Sequence, residues 1–476
     1  MGYNLGKDYQ KLKLRKRKYP DGVLLTNDYG DWLFLHLKQY EKFVFNDLDD
    51  NLFKLLEKNH MILTDNNMKS FDEQINRYYW YLNNGPSLHI VVPTLRCNFT
   101  CDYCHALRAP EEKSGVDMDA KIMEHTIDFI FKSPAKEKVI EFTGGEPLLR
   151  FDLVKQGIEF AEKKAEKDGT KVIFTVVTNG TMLTEEIIDY LKEHDADICI
   201  SLDGPKDLHD SNRKYTKDFS PTYDSVISAI DLMKRKGHTS ANILPVIVKD
   251  SLPRWKEIVD TYLNLGFRQV RYKYISDFGL AKTNWQRLSY TAEEFLESWK
   301  NVVDYLIDLN KEGKEVTESL ASIALTKIVH GVNTGFSEMA VPCGAANTQL
   351  LYNYDGAIYS CDEARTSEEF RIGDVSTSTY KSVMSNPVTK SIGLVSSIST
   401  EDDNNPWWAY SGLCPLEIYK KEGSFIKNFC SDYRMKIHDG IFEYLFDKIL
   451  HDPEAKKILW RWPDMPAGMS FSPEDN

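Results

Sequence analysis

Three closely spaced cysteines are the residues of this chain most suited to metal chemistry. Cys97, Cys101 and Cys104 are separated by three and then two residues, and they directly follow a strand-like apolar run at residues 88–92. Three thiolates on one short loop can hold three irons of a [4Fe–4S] cluster, whereas a cluster that only transfers electrons usually has a fourth Cys ligand. The sequence therefore predicts a cluster with one open iron.

A structural zinc site is the alternative for the same loop, because paired cysteines also bind zinc. Such a site needs four nitrogen or sulfur ligands in tetrahedral geometry. Only His105 could complete the set, and it adjoins Cys104 too closely for easy tetrahedral closure. The spacing therefore favours an iron–sulfur cluster.

The pattern Cys-x3-Cys-x-Tyr-Cys, placed just after a first strand, resembles the radical S-adenosylmethionine (SAM) superfamily. In that family the open iron chelates the amino and carboxylate groups of SAM. The resemblance implies that Cys97, Cys101 and Cys104 hold the cluster that binds SAM. It also implies that Tyr103, the aromatic residue before the third cysteine, lies near the adenine.

The composition of the chain limits the other classes of function. At 476 residues the chain should form two or three domains. Its 59 Lys and Arg against 72 Asp and Glu give a formal net charge of -13, which argues against a protein that mainly coats nucleic acid or an anionic membrane. Eight cysteines, three of them on one loop, indicate metal ligation in a reducing cytoplasm rather than disulfides. We therefore expect a cytoplasmic protein.

From about residue 88 the sequence alternates between strands and amphipathic helices. Six strand candidates occupy residues 88–92, 138–142, 171–177, 197–202, 242–248 and 269–274. The helical stretches between them include residues 118–131, 151–167, 185–194, 223–236 and 252–265. Apolar strands bounded by helices form parallel sheets buried on both faces. The sequence thus predicts an α/β fold, a partial (β/α)6 TIM-type barrel over residues 88–315, with ligands at the carboxyl ends of its strands.

Polar motifs follow two of these strands at the predicted ligand-binding rim. Gly144 and Gly145 allow a close backbone approach to a ligand, and Glu146 can accept hydrogen bonds from an ammonium. A simple turn is the alternative, but the placement resembles the family motif that binds the SAM amino group. Asn179 offers an amide after the third strand.

Further candidates for SAM binding follow the fourth strand. Ser201 and Asp203 could hydrogen-bond ribose hydroxyls. Arg213 is the candidate for the SAM carboxylate, because a guanidinium suits a planar anion. A surface ion pair of Arg213 with Asp207 or Asp210 is the alternative.

The pattern of residues 1–87 predicts a separate small domain that resembles a winged helix. Two strands, residues 23–27 and 31–35, are followed by two helices, residues 37–45 and 48–56. The layout resembles the peptide-recognition domains that precede some radical SAM maturases, and an ordinary cap on the barrel is the alternative. The basic run Lys11–Lys18 predicts a solvated strand face that could attract an acidic leader peptide.

Four later cysteines form a second set: Cys343 and Cys361 flank a hairpin pattern whose turn is Asp355-Gly356, and Cys414 and Cys430 follow later in the chain. The arrangement over residues 316–440 resembles the SPASM or twitch extension, which implies one fully ligated auxiliary [4Fe–4S] cluster. Structural zinc held by four cysteines is the alternative.

Full SPASM domains carry seven cysteines, but Ser411 and Met435 stand where others would be expected, so a second auxiliary cluster is not predicted. The pattern of residues 441–476 predicts a C-terminal helix followed by a tail that packs on the rest of the protein.

The whole layout most resembles radical SAM peptide maturases and, among them, the maturase of His-Xaa-Ser-type systems. The latter likeness rests on Asn353–Gly356 and Cys361–Arg365. The resemblance implies cleavage of SAM to a 5′-deoxyadenosyl radical and cross-linking of a ribosomally synthesised precursor peptide. It also implies an external electron donor of the flavodoxin or ferredoxin type.

Two alternative functions stay open at this point. A related enzyme could generate formylglycine in sulfatases or epimerise a peptide, and an epimerase needs a hydrogen-donating cysteine. Cys199 is the only spare thiol, although its place between Ile198 and Ile200 predicts a buried small hydrophobe. A non-catalytic iron–sulfur redox protein is the other alternative, but it leaves the motifs at residues 144–147 and 201–203 without a role.

Overall fold

The structure, a computed structural model, describes residues 9–238, 241–395, 404–424 and 433–463. The chain divides into two compact units. The first unit combines Met1–Asn83, Ala321–Gly344 and Gly393–Asn476, and the second combines Asn84–Leu320 and Ala345–Ile392. Each unit therefore joins segments that are distant in sequence, and the four predicted segments stay a prediction.

The second unit is built on an eight-stranded mixed sheet. In chain order its strands are β1 (Leu88–Thr94), β2 (Glu137–Gly144), β3 (Lys171–Thr178), β4 (Asp197–Ile200), β5 (Ala241–Ile243), β6 (Gln349–Tyr352), β7 (Ala357–Tyr359) and β8 (Arg371–Asp374). Their order in the sheet is β5-β4-β3-β2-β1-β6-β7-β8. Strands β1 to β6 are parallel, and β7 and β8 add antiparallel. The predicted α/β class with parallel barrel strands is confirmed.

The end of the predicted barrel differs from the expectation of six regular strands. Gln269–Val270 pairs with Thr317–Glu318 in a separate two-stranded sheet, and only Tyr274 forms a parallel bridge to Ile247. The ladder is interrupted because the backbone N–H of Tyr272 donates to the carboxylate of Glu318 (3.2 Å) instead of to a strand. The prediction of a continuous strand over residues 269–274 was therefore wrong.

Helices follow most of the strands in residues 84–395, and the helix that begins at Ser319 continues from the second unit into the first. The α-helices of this part of the chain are Ala120–Ile130, Phe151–Asp168, Glu185–Glu193, Lys206–Asn212, Tyr223–Arg235, Trp255–Asn264, Leu280–Thr283, Trp285–Leu288, Ala292–Lys311, Ser319–His330, Tyr380–Met384 and Pro387–Val395. Short 3-10 helices span Pro147–Arg150, Lys249–Arg254, Glu363–Thr366 and Glu368–Phe370.

Residues alternate between the two faces of β2. Lys138, Ile140, Phe142 and Gly144 are buried, whereas their neighbours along the strand are half-buried. A Cβ added to Gly157, in the helix Phe151–Asp168, would lie 2.9 Å from the Phe142 ring. The buried face of β2 therefore packs on a helix, and its other face is the inner face of the barrel.

The N-terminal part of the first unit contains the predicted strands and helices. Arg15–Lys18, Gly22–Thr26 and Trp32–His36 form an antiparallel sheet in that order. The helices Leu37–Phe45, Asp50–Lys58, Met68–Tyr78 and Trp80–Asn84 follow, and Gln10–Lys11 pairs with Ile62–Leu63. The basic run supplies an edge strand on which three of the four side chains are exposed, as predicted.

The later segments of the first unit are mostly helical. They include Trp408–Ser411, Pro415–Glu422, Tyr433–His451 and Pro453–Leu459. Buried polar contacts bind them to the rest of the unit: the Tyr410 hydroxyl donates to the Gly30 carbonyl (2.9 Å), and the Lys327 ammonium donates to the carbonyls of Met339 and Tyr410 (2.7 Å each). Among the described residues, none of the helices has both the length and the apolar character that crossing a membrane requires.

Candidate active site

The loop that carries the first three cysteines is held by short strands on both sides. Arg96–Cys97 pairs with Ala109–Pro110, and Phe99–Cys101 pairs antiparallel with Arg213–Tyr215. In that register Arg213 lies directly opposite Cys101. The loop follows β1, so its three thiols lie at the carboxyl ends of the barrel strands, where the sequence predicted ligand binding.

The three thiols share one environment. Cys97 and Cys101 are buried and Cys104 is half-buried. Burial raises the pKa of Cys97 and of Cys101, the latter to about 12, and the neighbouring thiols add to both shifts. Two donors oppose this effect: the Phe99 N–H lies 3.4 Å from the Cys97 sulfur, and Arg213 Nη1 lies 4.0 Å from the Cys101 sulfur. Such donors favour the thiolate form that cluster ligation requires.

These residues fit a three-cysteine [4Fe–4S] cluster. The chemistry of the set is all-thiol, and the donors to Cys97 and Cys101 stabilise negative charge on sulfur. In the part of the chain that the structure describes, no three His, Cys, Asp or Glu side chains converge on a single metal ion. A [4Fe–4S] cluster does not need such convergence, because each of its Cys ligands binds a different iron.

Gly144 and Gly145 contact the backbone that leads into the cysteine loop. The Gly145 N–H donates to the Thr94 carbonyl (2.9 Å), and the Glu146 N–H donates to the Arg96 carbonyl (2.7 Å). A Cβ on Gly145 would lie 2.1 Å from the Arg96 carbonyl oxygen. The sequence predicted a close approach to a ligand; the observed close approach is to the chain itself, one residue before Cys97.

Glu146 is fully buried beside this contact. Its Oε1 accepts hydrogen bonds from the Leu148 N–H (3.0 Å) and the Thr178 hydroxyl (2.8 Å), and its Oε2 accepts one from the Asn179 N–H (2.8 Å). Burial outweighs these bonds and raises the pKa of Glu146 to about 7. Since each carboxylate oxygen can accept two hydrogen bonds, Oε2 keeps one acceptor position.

Asn179 links the end of β3 to the cysteine loop. Its side-chain amide donates to the side-chain oxygen of Asn98 (2.7 Å), and Asn98 in turn donates to the Thr181 hydroxyl (2.9 Å). Thr181 closes the ring through its N–H, which donates to Asn179 Oδ1 (3.0 Å). Asn98 was not predicted as a site residue, and its place between Cys97 and Cys101 was the one signal in the sequence.

Asp203 and Arg213 bind each other. Arg213 donates to both carboxylate oxygens of Asp203, from Nη2 (3.0 Å) and from Nε (3.1 Å). The Tyr103 hydroxyl and the Val246 N–H (3.1 Å) also donate to this carboxylate. The Arg213 guanidinium lies 5.2 Å from the centre of the Tyr103 ring. Fully buried, Arg213 is not the surface ion pair that the alternative prediction described.

The two acidic residues considered as partners of Arg213 have other partners. Asp207 pairs with Arg254, and Asp210 accepts hydrogen bonds from the N–H groups of Thr222 (2.9 Å) and Tyr223 (2.8 Å). His209, between them, accepts a hydrogen bond from the Asp203 N–H (3.3 Å). It was not predicted, and no local pattern marks it.

Together these residues form what we call the rim set: Glu146, Asn179, Asp203, Arg213 and Tyr103. Each is buried, and each makes at least one hydrogen bond with another described residue. Ser201 differs, since it is half-buried and its hydroxyl has no hydrogen-bond partner among the described residues. That hydroxyl is therefore available to a ligand.

Cys199 is half-buried, in contrast to the prediction of a buried hydrophobe. In β4 the buried residues are Ile198 and Ile200, whereas Asp197 and Cys199 are half-buried and belong to the opposite, inner face. Burial raises the pKa of Cys199 to about 12, with a further contribution from Glu141. The prediction failed because strand alternation, rather than apolar neighbours, decides which face a residue occupies.

The later cysteines are distributed over both units. Cys343 and Cys414 belong to the first unit and Cys361 to the second, whereas Cys430 lies outside the described residues. Cys361 follows the predicted hairpin, which is confirmed: β6 and β7 pair antiparallel around Gly356, whose φ is +88°. Cys414 occupies the N-cap position of the helix Pro415–Glu422, and its side chain makes no capping hydrogen bond.

Comparison with known proteins identifies relatives of this arrangement. The family model for the Radical SAM superfamily matches residues 91–268, a range that contains the three cysteines and the rim set. The cysteine-type anaerobic sulfatase-maturating enzyme of Clostridium perfringens (strain ATCC 13124) is 24% identical over 381 residues, covering 77% of this chain and 97% of the relative.

Two solved structures resemble the fold. Native anSMEcpe with bound AdoMet matches with a TM-score of 0.67 and 21% identity, covering 78% of this chain and all of the other. Streptococcus suis SuiB bound to the precursor peptide SuiA matches with a TM-score of 0.55 and 15% identity, covering 90% of this chain and all of the other. These similarities confirm the predicted fold class.

Proposed function

We propose that this protein is a peptide maturase that cleaves SAM and modifies a ribosomally synthesised peptide, because the model of the Radical SAM superfamily matches residues 91–268. The family match bears out the predicted use of SAM and a [4Fe–4S] cluster. The observation that carries the proposal is the position of the three thiols, together on one braced loop at the carboxyl ends of the strands. Cross-linking of the peptide, in a system of the His-Xaa-Ser type, is the specific form that we favour.

In this proposal the cysteine loop holds the cluster, and side chains at the carboxyl ends of the strands bind SAM. Cys97, Cys101 and Cys104 would hold the cluster, which when bound with SAM supplies reductive cleavage of SAM to a 5′-deoxyadenosyl radical. Glu146 would accept a hydrogen bond from the SAM ammonium through its remaining acceptor position. The Ser201 hydroxyl would bind a ribose hydroxyl.

The remaining predicted contacts with SAM, from Gly144, Gly145, Tyr103, Asn179, Asp203 and Arg213, stay predictions. The bonds described above give these residues a positioning role, because they fix the loop that carries the thiols. Asn179 could do both, because its backbone N–H holds Glu146 in place and a direct contact with SAM would not disturb that hydrogen bond.

A peptide is the substrate class that we favour. SuiB has been solved with its precursor peptide, and its structure covers most of this chain. The edge strand Arg15–Lys18 exposes Lys16, Arg17 and Lys18. An extended acidic leader could add to such an edge through backbone hydrogen bonds, with charge attraction from these side chains.

We further propose that Cys343, Cys361, Cys414 and Cys430 ligate one auxiliary [4Fe–4S] cluster, which would accept the electron left when a substrate radical closes a ring. A flavodoxin- or ferredoxin-type protein would be the external electron donor of the enzyme. Structural zinc is the alternative for this set. The chain has eight cysteines, three of them on one short loop, and this distribution favours metal ligation over a disulfide framework.

A second candidate function rests on Cys199. A thiol on the inner face of the barrel, two residues before Ser201, is placed to donate a hydrogen atom to a substrate radical, as peptide epimerisation requires. The similarity to sulfatase-maturating enzymes also keeps formylglycine formation as a candidate. Product analysis on a peptide substrate distinguishes these reactions from cross-linking.

The test is a variant with Cys97, Cys101 and Cys104 all changed to Ala, reconstituted with iron and sulfide without oxygen. We expect its iron content to fall from about eight to about four per chain, at roughly four irons per cluster, and 5′-deoxyadenosine formation from SAM to stop. Cys199→Ala is the matched control and should keep all of its iron. Continued SAM cleavage by the triple variant would overturn the proposal, and one zinc in place of the remaining iron would overturn the auxiliary cluster.

A further inference from the structure

We propose that the inner face of the barrel contains a binding site for a carboxylate of the substrate, such as the side chain of an Asp or Glu residue in the peptide. The site is formed by Arg271 and Arg365, with Glu141 beside them. This inference rests on the proposed function, because it names the kind of peptide residue that the same barrel would take.

Arg365 is the first observation that points to a ligand. Only 7% of its surface is exposed, yet its Nε and Nη1 have no hydrogen-bond partner. Arg365 forms an ion pair with Asp362, whose Oδ1 lies 3.4 Å from Arg365 Nε, but neither of these two atoms makes a hydrogen bond. A buried donor without a hydrogen-bond partner is unfavourable, so such groups usually have a partner in the working protein.

Arg271 is the second and independent observation. It lies between the buried residues Val270 and Tyr272 and is half-buried. Its charge lowers the pKa values of both Glu141 and Cys199, so the guanidinium lies near these two side chains of the inner face. Arg271 makes no hydrogen bond and no ion pair with any described residue. Glu141 likewise has no such partner among them, so these opposite charges are neighbours that do not touch.

The remaining charges around this position come from Lys273, on the same segment as Arg271, and from two other segments, which carry His105 and Asp362. Lys273 and His105 act on Glu141, and His105 is bonded to Asp362 (2.6 Å). We call Glu141, Arg271, Lys273, Asp362, Arg365 and His105 the inner set. It contains two guanidinium groups with unused donors, and a guanidinium binds a carboxylate through two parallel hydrogen bonds.

The protonation state of Glu141 near neutral pH is compatible with an anionic ligand. Burial, with a smaller contribution from the charge of Asp362, raises the pKa of Glu141 to about 7. Near neutral pH much of this group is protonated and can donate a hydrogen bond to a carboxylate instead of repelling it. Asp362 contacts His105 through Oδ2 and lies 3.4 Å from Arg365 Nε through Oδ1, and it makes no ion pair with Arg271 among the described residues.

The experiment uses the full chain with reconstituted clusters and two blocked single residues, N-acetyl-glutamic acid amide and N-acetyl-glutamine amide. Their dissociation constants are measured by ligand-observed NMR titration at low salt. We expect the acid to bind at least about tenfold more tightly than the amide, as loss of one charge-assisted hydrogen bond predicts. Equal affinities, or tighter binding of the amide, would overturn the proposal.

Three variants locate the site. Arg271→Gln and Arg365→Gln should each weaken binding of the acid at least about tenfold, whereas Glu141→Gln should leave it unchanged or tighter. Arg268→Gln is the matched control, since Arg268 is exposed three residues before Arg271. If Arg365→Gln does not fold, Arg271→Gln decides: unchanged affinity for the acid in that variant would refute the site.

The outcome is independent of the test of the proposed function. SAM cleavage without any peptide measures the cysteine loop, and binding of the blocked residues measures the inner set. Loss of acid binding in Arg271→Gln with SAM cleavage retained would support both conclusions. Acid binding without SAM cleavage in the wild type would remove the proposed function and leave the carboxylate site.

Discussion

The rim set and the inner set are two groups of polar side chains in one unit, and they differ in how fully their hydrogen-bonding groups are satisfied. In the rim set Asp203 accepts four hydrogen bonds, and Glu146 accepts three. In the inner set Arg271 and Glu141 have no partner among the described residues, and Arg365 keeps two unsatisfied donors. The contrast separates residues that hold the cysteine loop in place from residues that are open to a ligand.

The physical reason for the difference is the cost of burial. A buried ion pair whose remaining atoms are hydrogen-bonded can be stable, whereas an uncompensated buried charge costs several kcal/mol. The rim set meets this condition without any ligand. The inner set does not, so a ligand that satisfies it should stabilise the protein.

The largest effect is expected from Asp203→Asn, which breaks the rim set. The change leaves Arg213 as a buried and unpaired charge, so we expect a loss of about 3–5 kcal/mol in the free energy of unfolding. Since Arg213 lies opposite Cys101, the variant should also lose most of the iron held by the first three cysteines. Urea denaturation and an iron assay measure the two effects.

Asp207→Asn is the control for this prediction. Asp207 pairs with Arg254 on the surface, where its side chain is 70% exposed, and such pairs contribute at most about 1 kcal/mol. Equal losses of stability in the two variants would show that the rim set contributes no more than a surface ion pair.

An intermediate effect is expected from Gly145→Ala. The new Cβ would lie 2.1 Å from the Arg96 carbonyl oxygen, so the strand end and the cysteine loop must move apart. Overpacking of this kind costs about 1–3 kcal/mol. Thermal unfolding and iron content should both fall, and Gly335→Ala, which meets no atom within 4 Å, should be neutral. Normal iron binding by Gly145→Ala would mean that the loop does not depend on this contact.

The smallest effect is expected from Glu141→Gln in the inner set. The pKa of Glu141 is about 7 in the folded protein against 4.5 for the free side chain. The folded state therefore binds the proton more tightly, and this contribution to stability is lost as the pH rises from 4.5 through 7. Because the side chain is partly accessible to water, we expect only about 1 kcal/mol.

The measurement is urea unfolding of wild type and Glu141→Gln at pH 5 and pH 8. The variant should lose less stability between these two pH values than the wild type does, and it should keep its full iron content. A steeper decline in the variant would contradict the sign of the pKa shift. Loss of iron would contradict the separation between the inner set and the cysteine loop.

The sequence was sufficient for features that depend on local pattern. The Cys97, Cys101 and Cys104 spacing, the strands β1 to β4 and the helices between them follow from residue type and periodicity. The hairpin at Asp355-Gly356 follows from turn chemistry, because only a residue tolerant of positive φ suits that position.

Features that depend on contacts between distant residues were not predictable in the same way. The pairing of Phe99–Cys101 with Arg213–Tyr215 joins positions 112 residues apart at Cys101 and Arg213, through strands of three residues that carry no periodic signal. The inner set likewise assembles from the segments around Glu141, Arg271 and Arg365. For Cys199 a signal was present, since Asp197, Cys199 and Ser201 alternate with Ile198 and Ile200.

The pairing of Phe99–Cys101 with Arg213–Tyr215 has a consequence for biosynthesis. Translation proceeds from the N-terminus, so the three cysteines leave the ribosome well before their partner strand. During that interval the Cys101 segment has neither its antiparallel neighbour nor the guanidinium that faces its sulfur. Iron that binds to the cysteine loop of the nascent chain would therefore bind to a site that lacks its neighbouring strand and this guanidinium. We therefore expect stable iron retention only in nascent chains that extend far enough beyond Tyr215 for that strand to fold.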